Sequence, residues 1–421
     1  MGKSLKRFWK LLGPGFVTGA ADDDPSGIAT YSQTGAMFGL GQLWLVLFSY
    51  PFMVAVQEMC GRIGLVTGKG LAGVIRKYYS RRVLAIAVLL LIAANVINIG
   101  ADLGAMAASL QLLVPVSFAG LLCGITAFTL LLQIFVPYPR YARFLKYLAL
   151  ALIAYIITAL FVTENWPVVF KALVTPHIEF SREFLFNIAA FLGTTISPYL
   201  FFWQADEEVE EELVHHKLRW MGKGVPKIFS SDVRKMRADT IIGMLFSNVI
   251  TFFIILTVAG TVGVAGTTGI ATASDAAEAL RPVAGDFAFL LFALGIVATG
   301  LLAIPILAGS AGYAVAEAFG WKEGLGKRFG QAAGFYIVIA LATLAGLFVN
   351  FSDIPAITLL YYAAMLNGVL APPLLIIILF IGNNSRILGN RTNGFFSNVL
   401  GIIITVAMSI VGIATIASLF I

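Results

Sequence analysis

Charge is scarce in this chain. Only 12% of its 421 residues are Asp, Glu, Lys or Arg and 59% are hydrophobic, whereas a soluble domain carries about 25% charged residues. That balance excludes an ordinary water-soluble fold and points to an all-α polytopic membrane protein. Cysteine is nearly absent. Cys60 and Cys123 lie in different apolar segments, so neither a disulfide framework nor a zinc motif follows, and buried inert thiols are expected. Histidine is limited to His177, His215 and His216, all outside the apolar cores; no imidazole is available at mid-membrane to titrate near neutral pH. No phosphate-binding loop is present, which argues against ATP-driven transport within the chain. The N-terminus "MGKSLKRFWKLLGPG" has a basic start but no short apolar core ending in a small-residue cleavage site, so the first helix is expected to be retained.

What is present is a series of apolar runs, each near the ~20 residues a helix needs to cross a bilayer. Eleven candidates are centred near Asp24, Phe52, Ile97, Ala127, Tyr155, Ser197, Phe252, Val297, Ile339, Leu370 and Ala407. With the N-terminus placed in the cytoplasm, 25 of the 28 Lys and Arg fall on the cytoplasmic side, from Lys3–Lys10 through Arg140, Arg143 and Lys146 to Arg391. This is the positive-inside asymmetry. It predicts a cytoplasmic N-terminus, an outside C-terminus, the lipid bilayer as the surrounding phase and no nucleic-acid partner.

Two of these runs are interrupted. In "GAADDDPSGIATY" (Gly19 to Tyr31), Pro25 removes a helical N–H and pushes Asp24 out of the helical region, and Gly27 follows. In "LGTTISPYLFFWQ" (Leu192 to Gln204), Gly193 and Pro198 bracket "TTIS". The broken spans are the first and the sixth, equivalent members of a five-plus-five inverted repeat. Such a pair is the best pointer in a sequence to a transporter's substrate site. One transporter domain over 1–421 is expected, with repeats at about 11–165 and 183–382 and an extra helix at about 395–421. An intramembrane carboxylate costs about 2.5–3.5 kcal/mol and defaults to a functional role. Asp24 is therefore expected to neutralise a cation, with freed carbonyls and the hydroxyls of Thr194, Thr195 and Ser197 completing the shell. The competing account is that an aspartate caps the second half-helix. For Asp22 and Asp23 two readings stand: a place on the metal path, or exposure in a cytoplasmic vestibule.

Three segments resemble one family, the natural-resistance-associated macrophage protein (Nramp) transporters of divalent metals. "GPGFVTGAADDDPSG" resembles the family's helix 1 with its Asp-Pro-Gly-Asn motif. "QEMCGRIGLVTGKGLA" (Gln57 to Ala72) is similar to the end of helix 2 and the loop after it, and "LGTTISPYLFFWQ" to helix 6 with its Met-Pro-His motif. "GADLGAMAASL" (Gly100 to Leu110) resembles helix 3, which carries acidic proton-pathway residues in the family. The resemblance implies a LeuT-type fold and secondary transport of divalent cations. The family's Asp maps to Asp24, but its Asn maps to Gly27, its Met to Ser197, its His to Tyr199 and a second histidine to Gln204. On helix 3 one acid is kept as Asp102 and the next becomes Ala105. Loss of the thioether leaves an oxygen-only shell, which suits Mg2+ and Mn2+. The pattern looks like the Nramp-related magnesium transporters.

The implied protein is not an enzyme and takes no cofactor; Mg2+ or Mn2+ is its substrate. No obligate protein partner is evident, and a bacterial inner membrane is the expected location. The metal site is expected at Asp24, Asp23, Asp22, Gly27, Thr194 and Ser197, with Asp102, Gln204 and Asn367 as pathway or proton-related candidates. Asp102 is alternatively a paired structural acid. Asn367 either faces the path or, as favoured, bonds a neighbouring helix. The run "DEEVEEELVHH" is read as the solvated cytoplasmic end of the sixth span rather than a cation funnel. An alternative function is a Na+-coupled organic-solute symporter of the same fold. A second, an intramembrane enzyme, would need Asp24 and Asp102 about 3 Å apart as an acid dyad.

Overall fold

A computed structural model describes residues 13–136, 152–163, 165–179, 181–263, 269–352 and 354–418. The basic residues Lys3–Lys10, Arg140, Arg143 and Lys146 lie outside the described residues. The described chain is helical; its sole bridge of β type joins Trp220 and Lys223. Among the helices are α1 (Pro14–Asp22), α2 (Pro25–Phe38), α3 (Trp44–Thr67), α4 (Leu71–Tyr78), α5 (Arg81–Gln111), α6 (Phe118–Phe135) and α7 (Ile153–Val162). They continue with α8 (Arg182–Thr195), α9 (Pro198–Val214), α10 (Ser230–Val258), α11 (Ala288–Phe319), α12 (Ala333–Val349), α13 (Ala356–Gly382) and α14 (Phe395–Ser418). Eight described helices are long and apolar enough to cross a bilayer, counting α8 with α9 as one. The first expected span is not among them because its break leaves pieces of 9 and 14 residues. The ninth, α12, has 17 residues.

Both expected interruptions are present. Asp23 and Asp24 separate α1 from α2, and Ile196 and Ser197 separate α8 from α9. Proline alone does not explain them, since Pro51, Pro305, Pro372 and Pro373 lie inside α3, α11 and α13 without ending those helices. The difference is the preceding residue. Asp24 and Ser197 occupy N-cap positions with extended backbones (ψ 174° and 137°) ahead of a proline at N1. Asp and Ser favour that role, whereas Tyr50, Ile304 and Ala371 do not.

Close backbone approach fixes the broken helices against their neighbours. Gly19 and Gly15 of α1 meet Gly243 and Thr240 of α10, and Gly193 of α8 meets Gly368 of α13. The small residues of α5 serve similarly: Gly100 faces Gly346, and Gly104 faces Asn350. Asp239 of α10 secures the start of α1 by accepting from the backbone N–H of Gly13 (2.8 Å) and of Gly15 (2.7 Å). A Cβ at position 243 would run into the backbone of Gly15. Gly243→Ala is therefore expected to cost about 1–3 kcal/mol, read as a lower melting temperature in detergent. An unchanged melting temperature would mean that α1 and α10 are not locked in this packing.

Candidate metal site at the helix breaks

Asp24 Oδ1 accepts from Ser26 Oγ (2.6 Å) and from the N–H of Gly27 (2.7 Å), so Asp24 caps α2. Its Oδ2 lies 3.1 Å from the hydroxyl of Tyr199, which is also 3.3 Å from the Ala21 carbonyl. Tyr199 sits in the first turn of α9, so the two breaks meet across this contact. Thr194 Oγ1 approaches Ser26 Oγ at 3.4 Å. Gly27 faces Thr194 and the ring of Tyr31. Ser197 turns back on its own chain, its Oγ within 2.8 Å of the Gly193 carbonyl and 2.6 Å of the Thr194 carbonyl. The capping account and the cation account thus fall on the same residue, and one does not exclude the other: Asp24 Oδ2 holds a single donor.

Asp22 and Asp23 turn the other way. Ser247 Oγ of α10 lies 2.7 Å from Asp22 Oδ2 and 3.3 Å from Asp23 Oδ1. Both aspartates are fully buried, so the vestibule reading does not hold; α10 covers them. Among the described residues no three Asp, Glu, His or Cys side chains converge to hold a metal. The three consecutive carboxylates therefore do not form one cage. Among the described residues no cation balances them either: Arg62 is the one buried basic residue there, and it pairs with Glu58 at 3.1 Å.

The pathway candidates are all buried, in different settings. Asp102 on α5 has no hydrogen-bond partner for either oxygen. Gln204 accepts from Thr18 (2.6 Å) and donates to Glu208 (3.0 Å). Asn367 and Asn98 bond each other reciprocally at 2.9 and 3.2 Å, the helix-to-helix role favoured for Asn367. The acidic run is solvated only at its very end: Val214, His215 and His216 are exposed, whereas Asp206, Glu208 and Glu212 are buried, because this stretch of α9 packs against α3 and α11. Glu210 accepts from the Tyr313 hydroxyl and the Leu325 N–H, and Lys235 pairs with Glu211. Cys60 is buried as expected, but Cys123 is exposed on α6.

Two cavities lie towards opposite ends of the bundle. One of about 230 Å³ is lined by Gly13, Glu208, Glu212 and Asp239. Another of about 430 Å³ is lined by Ala108, Thr272, Asn350 and Ser352. Neither touches Asp22, Asp23 or Asp24, each at most 1% exposed. The breaks are occluded.

Residues 15–418 match the family described as "Natural resistance-associated macrophage protein-like". The chain belongs to the Nramp family. Nramp proteins are transporters, so the intramembrane-enzyme reading is set aside. Among curated relatives, a divalent metal cation transporter MntH of Klebsiella pneumoniae is 27% identical over 297 residues, 69% of this chain and 68% of that protein. The fold is also that of a manganese transporter of Eremococcus coleocola (TM-score 0.79, 18% identity, 99% of this chain and 88% of that one). Mhp1, a nucleobase-cation-symport-1 family transporter, is more distant (TM-score 0.61, 13% identity, 96% and 92%). The fold is of the LeuT type, shared with Mhp1.

Several residues of the candidate site in this Nramp protein carry no strong signal in the sequence. Tyr199 was placed only by its likeness to the family's histidine. Ser26 was hidden inside the break. Ser247 and Thr251, one turn apart on α10, form with Gly243 a small-polar stripe at a spacing of four.

Proposed function

We propose that this Nramp protein is a secondary transporter of divalent metal cations, Mg2+ and/or Mn2+, working by alternating access around Asp24. The observation that carries the reading is the meeting of the two helix breaks at the Asp24–Tyr199 contact, 3.1 Å. There the Asp24 carboxylate, the Ala21 carbonyl and the Tyr199 hydroxyl meet, with Thr194 Oγ1 beside Ser26, and none of these donors is sulfur. Helix ends carry unsatisfied carbonyls suited to cations, and an all-oxygen shell favours hard ions. The names of the Klebsiella relative and the Eremococcus neighbour agree with divalent cargo. Burial on both sides fits an occluded stage of a carrier. The asymmetry of basic residues supports a cytoplasmic N-terminus, and a bacterial inner membrane fits the MntH relative.

Paired Mg2+ and Mn2+ uptake into proteoliposomes, with internal pH followed at the same time, tests this. Saturable uptake of either ion supports the reading; uptake of neither, by folded protein, ends it. Transport is expected to be nearly insensitive to a pH gradient, because no histidine lies in a membrane core and Ala105 replaces a family acid. Vesicle acidification that scales with metal uptake would contradict that expectation.

A further inference from the structure

Away from the helix breaks, where α3 and α11 end and α5 begins, Lys69, Arg76, Lys77 and Lys223 converge on a third cavity, of about 440 Å³. We propose that this cavity holds the phosphate of an anionic phospholipid headgroup from the adjoining leaflet. None of the four cations forms an ion pair among the described residues, whereas Lys217, Lys235 and Arg237 each meet a carboxylate. Their partners are neutral. Lys69 Nζ donates to the Gly222 carbonyl and Arg76 Nη1 to the Glu317 carbonyl (3.0 Å), while Lys77 Nζ stands 4.9 Å from the centre of the Tyr78 ring. Two acids share the lining. Glu317 is engaged with the start of α4, accepting from the N–H of Gly70 and of Gly73, each at 2.7 Å. Glu323 is buried and its Oε2 has no partner. Burial, with Glu317 beside it, pushes the Glu323 carboxyl up to about 9, so at neutral pH it brings a hydrogen-bond donor rather than a negative charge. Even with both acids ionised, positive charge is in surplus on this wall. A phosphodiester carries one negative charge on oxygens that only accept, which suits ammonium, guanidinium and carboxyl donors.

The surroundings of the cavity point to lipid as the source. The helices α3, α5 and α11 are long and apolar enough to cross a bilayer, so their ends mark its surface. Trp321, on the cavity wall, stacks on Phe319 with ring centroids 5.0 Å apart, and the two are 46% and 66% exposed. Exposed aromatic rings of this kind sit at headgroup depth. Helix α4 buries Leu71, Val74 and Ile75 and turns Arg76 and Lys77 outward, the two-faced pattern of a helix lying in the membrane surface. Basic pockets between spanning helices at that depth take anionic headgroups.

Binding of short-chain lipids to the purified full chain, read by native mass spectrometry, tests the site. Dioctanoyl phosphatidylglycerol is expected to bind about tenfold more tightly than dioctanoyl phosphatidylcholine. The triple variant Arg76→Gln/Lys77→Gln/Lys223→Gln is expected to lose that preference. Lys77→Gln/Lys223→Gln, which leaves the Arg76 bond to Glu317 intact, should reduce it severalfold. Arg81→Gln/Arg82→Gln, on exposed residues that do not line the cavity, should keep it. The substituted side chains are exposed, and a monodisperse elution profile confirms that each variant is folded. Equal affinity for the two lipids in folded wild type overturns the proposal, as does a preference that survives the triple variant. A loss in Arg81→Gln/Arg82→Gln as large as in the triple variant would make the attraction a diffuse surface charge and overturn the cavity. Glycerol 3-phosphate is the soluble arm: its binding at the same residues, with no preference between the lipids, would overturn the lipid source.

Discussion

Metal uptake is expected to fall to background in both Asp24→Ala and Asp24→Asn, while stability separates the two. Asp24 does two jobs in this structure: it caps α2 through Ser26 and Gly27, and it presents Oδ2 to the Tyr199 side of the break. Alanine removes both. Asparagine is among the best N-cap residues, so it keeps the cap and removes only the charge. The alanine variant should lose about 1 kcal/mol of stability and melt lower; the asparagine variant should melt near the wild type. Asp22 and Asp23 cannot substitute for the missing charge because both point at Ser247 of α10. Proteoliposome uptake alongside melting curves reads the two effects apart. Near-normal uptake by Asp24→Asn would make Asp24 a helix cap alone and move the cargo elsewhere.

Ser197→Met is expected to raise the Mn2+-to-Mg2+ transport ratio about tenfold, the effect of ~1.4 kcal/mol of differential binding. Thioether sulfur offers Mg2+ no useful coordination but is a good ligand for softer ions. The substitution also removes the hydroxyl that now occupies the carbonyls of Gly193 and Thr194, freeing both for an ion. Adding Gly27→Asn, which would restore the family's amide, is less clean than its sequence position suggests. A Cβ there would stand 3.0 Å from the Asp22 carbonyl and 3.2 Å from the Tyr31 ring, so the break must shift to admit it. Paired uptake of both ions by the single variant is therefore the decisive measurement. An unchanged ratio, with both ions still carried, would remove Ser197 from the selectivity shell and with it the main support for magnesium.

The apolar runs, the two breaks and the likeness to Nramp helices were all legible, because each depends on local sequence: hydropathy over a window, or a capping residue followed by proline. Direction was not legible. "DDD" does not reveal that Asp24 turns towards α9 while its two neighbours turn towards α10, since that depends on where α10 lies. Asp239, more than two hundred residues from Gly13, likewise gave no local sign of reaching the start of α1. The acidic run after Gln204 misled for the same reason. Its composition is that of a solvated helix, but α3, α11 and the Tyr313 hydroxyl cover it. Asn367 bonds Asn98 of α5, in keeping with a lone amide in a span having few partners other than another helix.

The clamp between Asp239 and the N-terminus of α1 has a mechanical consequence. Glycine contact along their length and two charge-assisted bonds at one end fasten α1 to α10 up to the two-residue gap at Asp23 and Asp24. The same helix also holds α2, where Gly35 meets the backbone of Ile255 and Ala259. Asp22 and Asp23 are bonded to Ser247 of α10, whereas Asp24 is fastened to the first turn of α2. The break is thus a seam splinted by α10 on both sides, and any opening at Asp23 and Asp24 must slide one half of the span along that helix.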